Sequence, residues 1–390
     1  MGSKNRIWQR AALAAALAVS GCTYTDDTIP QPAEPAALEP LVQQVQLFMD
    51  QGAVSAVVQV RWPGGEWSRA FGVRDLDSLA PAQPTDRVQI ASVTTSMTAV
   101  AVLKLVDDHL IGLDDPVNGI IPGFSTLLQP PGPITVRQLL SHTSGLPEVN
   151  DALPREAGVR DELSRTPTME EGLGAAGSLP WPAFNVGLFH YSNTNYLALG
   201  LLVEALRHKP FPQAMRDEVF APLGLKNTSL DRVDVRAPGL LHGYVTLRGE
   251  RIDTTDNTFA AGSPASGAVS TVADMNLFMA GLLQGRAVSA SSLREMKTSP
   301  GFGPYGLGLW RFADSCSAAS RQEGLGSLRD FQTVVVSSDD GRYQAAMTVT
   351  APPMPGEVED PSTADRRDLL NGQIESTLNE ALDRLCEPAQ

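Results

Sequence analysis

Ten consecutive residues decide how the rest of this chain is understood, namely Ile90-Ala91-Ser92-Val93-Thr94-Thr95-Ser96-Met97-Thr98-Ala99. Residues 93 to 108 continue this stretch with apolar side chains on nearly every side, which predicts a helix buried on most faces. Ser92 stands where that helix begins. A serine at this point either caps the helix or presents its hydroxyl there as a nucleophile, and the residues alone leave both interpretations open.

Two later segments supply the other side chains of a candidate site. The second segment is Tyr191-Ser192-Asn193-Thr194-Asn195-Tyr196. The third is Tyr305-Gly306-Leu307-Gly308-Leu309, followed by Gly324-Leu325-Gly326 and a strand. Gly306 and Gly308 are predicted to be packing glycines within a strand.

Four more segments lie between these three in a fixed order. They are Leu113-Asp114-Asp115-Pro116-Val117, residues 134–146 (Ile-Thr-Val-Arg-Gln-Leu-Leu-Ser-His-Thr-Ser-Gly-Leu), Ala221-Pro222-Leu223-Gly224-Leu225 and residues 269–275. All seven together resemble the serine penicillin-recognising family, in particular the class C β-lactamases and the soluble DD-carboxypeptidases and transpeptidases. The resemblance covers nearly the whole chain beyond its first residues. The histidine of the second of these four segments, His142, is interpreted as structural.

The resemblance assigns a role to each residue of the first two motifs. In this family a serine opens a helix, and a lysine one turn later in the motif S-x-x-K faces the same way. Ser92 falls at the nucleophile, and Tyr191 and Asn193 fall at the Y-x-N motif, with Asn193 on the substrate-binding side. Thr95 occupies the lysine position and carries no charge. Lys104 is about 18 Å further along a helix and cannot substitute for it.

The third motif of the family is a K-T-G or H-T-G strand that binds a substrate carboxylate. Two registers are open here, Gly324-Leu325-Gly326 and Gln322-Glu323-Gly324, and neither contains a Lys or a His. In the second register Glu323 would repel an anionic substrate. Arg321 and Arg329 are other sources of positive charge, but the sequence does not tell where they point.

These changes to two of the three motifs shape the functional prediction. Loss of a positioned acid–base group costs about 10²–10⁴ in rate. The sequence therefore predicts a β-lactamase-related serine hydrolase of the D-alanyl-D-alanine carboxypeptidase or esterase type, with impaired catalysis on a small ester or amide. The alternative is a non-catalytic protein whose cleft binds peptidoglycan stem peptides or another partner.

The order of the predicted elements indicates an α/β (α+β) fold, an antiparallel sheet flanked by helices with an inserted helical lobe. The β-lactamase-like domain is predicted over residues 39–388, with the sheet formed from about 39–120 and 300–388 and the lobe from about 121–299. Strands are predicted at 54–62, 66–73, 305–312, 331–337 and 343–350, with a tight hairpin at 339–341. Helices are predicted at 40–52, 93–108, 134–141, 194–206, 213–219, 272–284, 291–297 and 365–386.

The first 21 residues are typical of a signal peptide. Three basic residues precede an apolar run over residues 11 to 19 that is too short to span a bilayer. The run leads into Val19-Ser20-Gly21-Cys22, which resembles a bacterial lipobox whose cysteine becomes the acylated first residue. Residues 22–38 are predicted to form a flexible tether. We therefore expect an exported protein, lipid-anchored through Cys22 to the outer face of the bacterial cell membrane.

The remaining two cysteines and the charge complete the prediction. Cys316 and Cys386 form a pair that predicts a disulfide in an exported protein. The five histidines show no HxxxH spacing, so neither a metal site nor a cofactor is expected. The formal net charge is −14, and removal of residues 1–21, which hold three positive charges and no acidic residue, makes it −17. Such a surface disfavours nucleic acid as a partner.

Overall fold

The computed structural model describes residues 35–152, 166–232, 234–247, 249–256, 260–301, 303–316, 319–353 and 362–386. The predicted signal peptide, Cys22 and most of the tether lie outside these residues. Within the described part of the chain, no helix combines the length and the apolar character needed to cross a membrane.

Strands from both ends of the chain meet in one sheet. The strands are β1 (Ser55–Trp62), β2 (Gly65–Gly72), β3 (Val88–Gln89), β4 (Tyr244–Leu247), β5 (Glu250–Asp253), β6 (Val269–Ser270), β7 (Trp310–Ala313), β8 (Ser320–Ser327), β9 (Phe331–Ser338) and β10 (Gln344–Thr350). Six of them form an antiparallel sheet in the order β2-β1-β10-β9-β8-β7. The predicted fold class, an antiparallel sheet flanked by helices, is confirmed.

The helices flank this sheet and fill the middle of the chain. They are α1 (Glu39–Asp50), α2 (Val93–Asp107), α3 (Phe124–Leu128), α4 (Val136–Leu140), α5 (Met169–Ala176), α6 (Asn193–Arg207), α7 (Phe211–Met215), α8 (Ala221–Leu223), α9 (Val272–Leu283), α10 (Ala290–Lys297) and α11 (Ser362–Leu385). The predicted helices at 40–52, 93–108, 194–206 and 272–284 are present, each within two residues of its predicted ends. Their strong apolar periodicity explains this agreement.

The late strands differ from the sequence-based prediction in two places. The strand predicted at 305–312 is wrong, because only Trp310–Ala313 is extended. Gly308 has φ of +89°, a left-handed conformation that interrupts a strand, and its carbonyl accepts a hydrogen bond from the Ser96 hydroxyl at 2.6 Å. The prediction that Gly306 and Gly308 lie within a strand is therefore also wrong. In contrast, Ser320–Ser327 forms β8 although its polar residues gave no clear strand pattern.

Two apolar cores lie on opposite faces of the sheet. On one face, Phe48 of α1 and Ile374 of α11 share a core with Val334 of β9. On the other face, α2 and α9 share a second core with Val335 of β9. Successive side chains of a strand point to opposite faces. The central strands are therefore apolar along their length because both faces are covered.

The helix-rich middle of the chain also contributes to the sheet layer. α9 falls within the predicted lobe, yet Asn276 on α9 donates a hydrogen bond to the Gln59 carbonyl of β1 at 3.1 Å. β4 and β5 form a small hairpin that the sequence did not predict. β3 pairs with β6 immediately before α2 begins.

The predicted disulfide between Cys316 and Cys386 is present and joins the loop after β7 to the end of α11. Beside it, the buried Arg321 guanidinium binds Asp314 at 2.9 Å and also binds Asp383. Its other nitrogen donates to the Asn379 carbonyl at 2.9 Å. The disulfide and this ion-pair network together fasten the β7–β8 edge of the sheet to α11.

The disulfide should stabilise the fold measurably. Cys386→Ser, or reduction of the wild type, is expected to lower the free energy of unfolding by about 2–4 kcal/mol, since the bond closes a loop with a sequence separation of 70. Urea unfolding with and without reductant measures this. The variant should not respond to reductant, and an unchanged wild-type midpoint under reduction would contradict the expectation.

Candidate active site

The start of α2 is held by two hydrogen bonds to Ala268, and these place Ser92. The Ile90 N–H donates to the Ala268 carbonyl at 3.0 Å, and the Ala268 N–H donates to the Thr94 hydroxyl at 3.1 Å. Ala91 has φ of +50°, a strained conformation for a residue with a side chain. Ser92 is the N-cap residue, but its side chain makes no capping hydrogen bond. The Ser92 side chain is partly exposed, and it is not engaged in capping α2.

The Ser92 side chain lies near enough to Tyr191 to lower the pKa of its hydroxyl, so the structure brings together the first two motifs. The segment around His142 holds Tyr191 in place. The Ser192 N–H and the Asn195 side-chain amide both lie 3.2 Å from His142 Nδ1. The His142 and Tyr191 rings have centroids 4.2 Å apart.

His142 is positioned as a structural neutral histidine. Burial lowers the pKa of its imidazole to about 3, so the ring carries no charge at neutral pH. Because Nδ1 accepts from a backbone N–H, the proton of the neutral ring is on Nε2. His142 also contacts the rings of Tyr196 and Tyr305.

Thr95 lies one turn beyond Ser92, with its side chain almost fully buried. Its hydroxyl donates to the Ser92 carbonyl at 2.7 Å, and it lies near enough to Tyr305 to lower the pKa of that tyrosine. The Tyr305 hydroxyl lies 3.3 Å from that of Tyr196, which in turn donates to the Leu140 carbonyl at 3.1 Å. Hydroxyl groups therefore surround the position at which the resemblance expects an ammonium group.

The hydroxyls around Ser92 hold their protons at neutral pH. Burial raises the pKa of Tyr191 to about 12, a shift that the neighbouring Ser92 side chain reduces and the Glu148 carboxylate reinforces. Burial likewise raises the pKa of Tyr305 and of Tyr196. Among the described residues, no cation contributes to the shifts of Tyr191 and Tyr305. Tyr191 can donate a proton here, but it is a poor base.

The third motif strand, β8, runs close beside the start of α2. A Cβ on Gly326 would lie 2.4 Å from the Ile90 carbonyl oxygen, and one on Gly324 would lie 3.4 Å from Val93. Gly324 and Gly326 therefore face α2 on the same side of the strand. Leu325 points to the opposite side, into the core beneath α11.

The charged residues of β8 face away from Ser92. The fully buried Glu323 accepts a hydrogen bond from Asn379 of α11 at 3.0 Å. Arg321 points to the same side as Glu323. Neither of these two side chains therefore repels or attracts a ligand directly at the cleft. Arg329 is exposed in the turn between β8 and β9, and its charge acts on Asp330.

The outer edge of β8 is open beside Ser92. β7 pairs only with Ser320–Glu323, so residues 324–327 have no outer strand partner within the described chain. Four rings line the neighbouring wall, with centroids 4.8–6.4 Å apart between successive members. We call this set the aromatic wall: Phe189, Tyr305, Trp310 and Phe312. Phe189 is 47% exposed.

Sequence reasoning missed Glu148. It lies two residues after Leu146, the last residue of the matched segment 134–146. Its carboxylate accepts from the Asn193 N–H at 2.5 Å and from the Asn193 side-chain amide at 3.0 Å. The predicted substrate-binding side chain of Asn193 is thus already bonded to Glu148. The contact joins positions 45 residues apart, so only an acidic residue beside a matched motif could have signalled it.

A family model described as Beta-lactamase matches residues 38–365, so the chain belongs to the beta-lactamase family of serine hydrolases, which includes penicillin-binding proteins. Protein flp from Staphylococcus aureus is 28% identical over 181 residues, which are 45% of this chain and 34% of that protein. This chain therefore matches about a third of that relative. The putative penicillin-binding protein PbpX from Bacillus subtilis is 24% identical over 282 residues, covering 69% of this chain and 66% of that protein.

Solved structures show the same fold. A D-stereospecific amidohydrolase from Streptomyces sp. superposes with a TM-score of 0.70 and 25% identity, covering 82% of this chain and 96% of that chain. The D-amino acid amidase from Ochrobactrum anthropi SV3, complexed with D-phenylalanine, superposes with a TM-score of 0.74 and 21% identity, covering 90% and 99%. The suspected family resemblance is confirmed.

The close approach of β8 to α2 can be tested with a matched pair of alanines. Gly326→Ala is expected to lower the free energy of unfolding by about 1–3 kcal/mol, because the new methyl group meets the Ile90 carbonyl. Gly324→Ala, whose nearest neighbour would be Val335 at 3.1 Å, should cost clearly less. Urea unfolding compares the two, and equal losses would contradict the close approach at Gly326.

Glu323 should make stability depend on pH. Burial raises the pKa of its carboxyl from 4.5 to about 8, so the folded state keeps a proton that the unfolded chain releases. The free energy of unfolding then falls by about 1.4 kcal/mol per pH unit as the pH rises from about 4.5 to 8. Glu323→Gln should remove this loss and exceed the wild type in stability at pH 8.

Unfolding measured at several pH values across this window checks the expectation. Glu380→Gln is the control, since Glu380 is an exposed carboxylate on the same helix α11, and it should leave the pH dependence of stability unchanged. A difference between wild type and Glu323→Gln that stays constant from pH 5 to 8 would show that Glu323 titrates normally in the folded protein.

Proposed function

We propose that this protein is a cell-envelope lipoprotein of the beta-lactamase family whose cleft binds small amides or esters and whose acyl transfer through Ser92 is strongly impaired. The observation that carries the proposal is the placement of Tyr191 beside Ser92, with no cation among the described residues acting on the tyrosine. This placement supports a retained nucleophile position, while the group that would make deprotonation easy is replaced by Thr95.

The physical reason for impairment is the cost of moving the Ser92 proton. Tyr191, with its pKa raised to about 12, holds its own proton at neutral pH. The buried His142 is neutral, but its available nitrogen Nδ1 already accepts from Ser192. A base is thus lacking among the described groups that contact Ser92. Binding and orientation persist, while the proton-transfer step loses about 10²–10⁴ in rate.

The open edge of β8 supports an amide or ester as the ligand. Unpaired backbone N–H and C=O groups along residues 324–327 can bind an extended amide as an added strand. Two structural relatives are described as a D-stereospecific amidohydrolase and a D-amino acid amidase, which supports the same ligand class. Peptidoglycan stem peptides are the cell-wall amides that a protein in this location would meet, and a purely binding role towards them is the alternative.

The proposed location depends on the amino-terminal sequence. The basic start, the short apolar run and Cys22 together support export and lipid anchoring to the outer face of the bacterial membrane. The confirmed disulfide supports an oxidising compartment.

Thr95→Lys is the decisive substitution. An ammonium group beside Ser92 should lower the pKa of Tyr191 and favour the Ser92 alkoxide. Labelling of Ser92 by a fluorophosphonate, and hydrolysis of an aryl ester, are expected to rise about 10²–10⁴-fold over the wild type. Mass spectrometry of the labelled protein checks the site of modification.

Two controls make the result interpretable. Thr95→Met adds comparable bulk without charge and should not raise labelling, and Ser92→Ala in the Thr95→Lys background should abolish it. If the wild type is already labelled as fast as Thr95→Lys, the proposal of impaired catalysis is overturned.

A further inference from the structure

Glu148 places a carboxylate at the mouth of the cleft. It immediately precedes the short helical segment Val149–Ala152, and its oxygens accept from the Asn193 N–H, the Asn193 side-chain amide and the Asn150 N–H. A carboxylate offers about four acceptor positions. Three are occupied, and the side chain is partly exposed, so one further donor can be accommodated.

The charge of Glu148 reaches the centre of the site. Its carboxylate raises the pKa of Tyr191, the residue beside Ser92, and the described residues contribute no cation to that shift. The amino-terminal end of α6 carries about half a positive charge, which a full carboxylate charge exceeds. Among the described groups that act on Tyr191, the charged one is this carboxylate, opposite in sign to the cation of a site that binds a carboxylate.

The aromatic wall adds the second half of the recognition chemistry. Phe189 and Trp310 have ring centroids 5.9 Å apart in an edge-to-face arrangement, and both are partly exposed. His142 joins this wall to Tyr191, with its ring 6.2 Å from Phe189 and 4.2 Å from Tyr191. Aromatic faces favour apolar groups and also attract ammonium ions.

We propose that the cleft selects ligands that carry a free ammonium group together with an aromatic or large apolar side chain, such as amino-acid amides with an unblocked amine. Glu148 receives the ammonium group, the aromatic wall receives the side chain, and the open edge of β8 receives the amide. The inference rests on the proposed amide-binding function and specifies its ligand class. It also explains why a carboxylate-binding cation at β8 is dispensable, since the ligand brings the positive charge itself.

Three matched probes test the charge requirement. They are phenylalaninamide (cationic), N-acetyl-phenylalaninamide (neutral) and N-acetyl-phenylalanine (anionic), each as D and L enantiomers. Calorimetric titration at about pH 6, below the pKa of about 7.7–8.0 usual for an α-amino group, measures their affinities. The cationic probe should bind at least about tenfold more tightly than the neutral one, because a charge-assisted hydrogen bond is gained, and added salt should reduce the difference.

Two acidic variants locate the effect. Glu148→Gln removes the charge, keeps one of the two oxygens that accept from Asn193, and should abolish the preference for the cationic probe over the neutral one. Asp151→Asn removes the same charge from an exposed neighbour on the same segment and should leave the preference intact. Trp310→Leu should weaken all three probes alike.

The outcomes separate the inference from the function on which it rests. If the neutral or the anionic probe binds as tightly as the cationic one, the cleft binds amides but the charge selection is wrong. If Glu148→Gln keeps the full preference, Glu148 is not the receptor of the ammonium group and the proposal is overturned. If none of the probes binds, the proposed amide-binding function itself fails.

Discussion

The close contact between β8 and the start of α2 is the constraint on which the site depends. Gly326 lies so near the Ile90 carbonyl that a side chain has no space there. α2 is buried on nearly every side, so its amino-terminal end cannot shift to relieve a clash. Ser92 is consequently held at a fixed point between the sheet and the helix-rich part of the chain, with Thr95 one turn further on and Tyr191 opposite.

The residues packed around Thr95 form their hydrogen bonds without the charged side chain that the family motif has at this position. The Thr95 hydroxyl donates to the Ser92 carbonyl, so this buried side chain has a hydrogen-bond partner within its own helix turn. Without an ammonium group, burial acts on Tyr191 largely unopposed and keeps it protonated. Under the proposed function, fold and chemistry are separable, because packing fixes the geometry while the charge at position 95 sets the reactivity.

The opposite wall shows how charge is distributed around the sheet. Arg321 and Glu323 serve the back of β8, where they bind α11 and, in the case of Arg321, support the region of the disulfide. Where the front of β8 faces the start of α2 it carries Gly324 and Gly326, beside an open edge. The cleft is thereby left with an aromatic wall and the Glu148 carboxylate, which favours a ligand of opposite charge to the one expected from the third motif of the family.

The sequence by itself determined the antiparallel sheet with its flanking helices, the buried α2, the position of Ser92 with Thr95 one turn later, and the cysteine pair. These depend on local periodicity and motif spacing, which are properties of neighbouring residues. The tertiary structure decided what local pattern cannot contain. Alternation along β8 shows which residues share a face, but only α2 and α11 decide which face meets Ser92 and which is buried behind it. The Glu148–Asn193 contact, between residues 45 positions apart, arises only when the chain has folded.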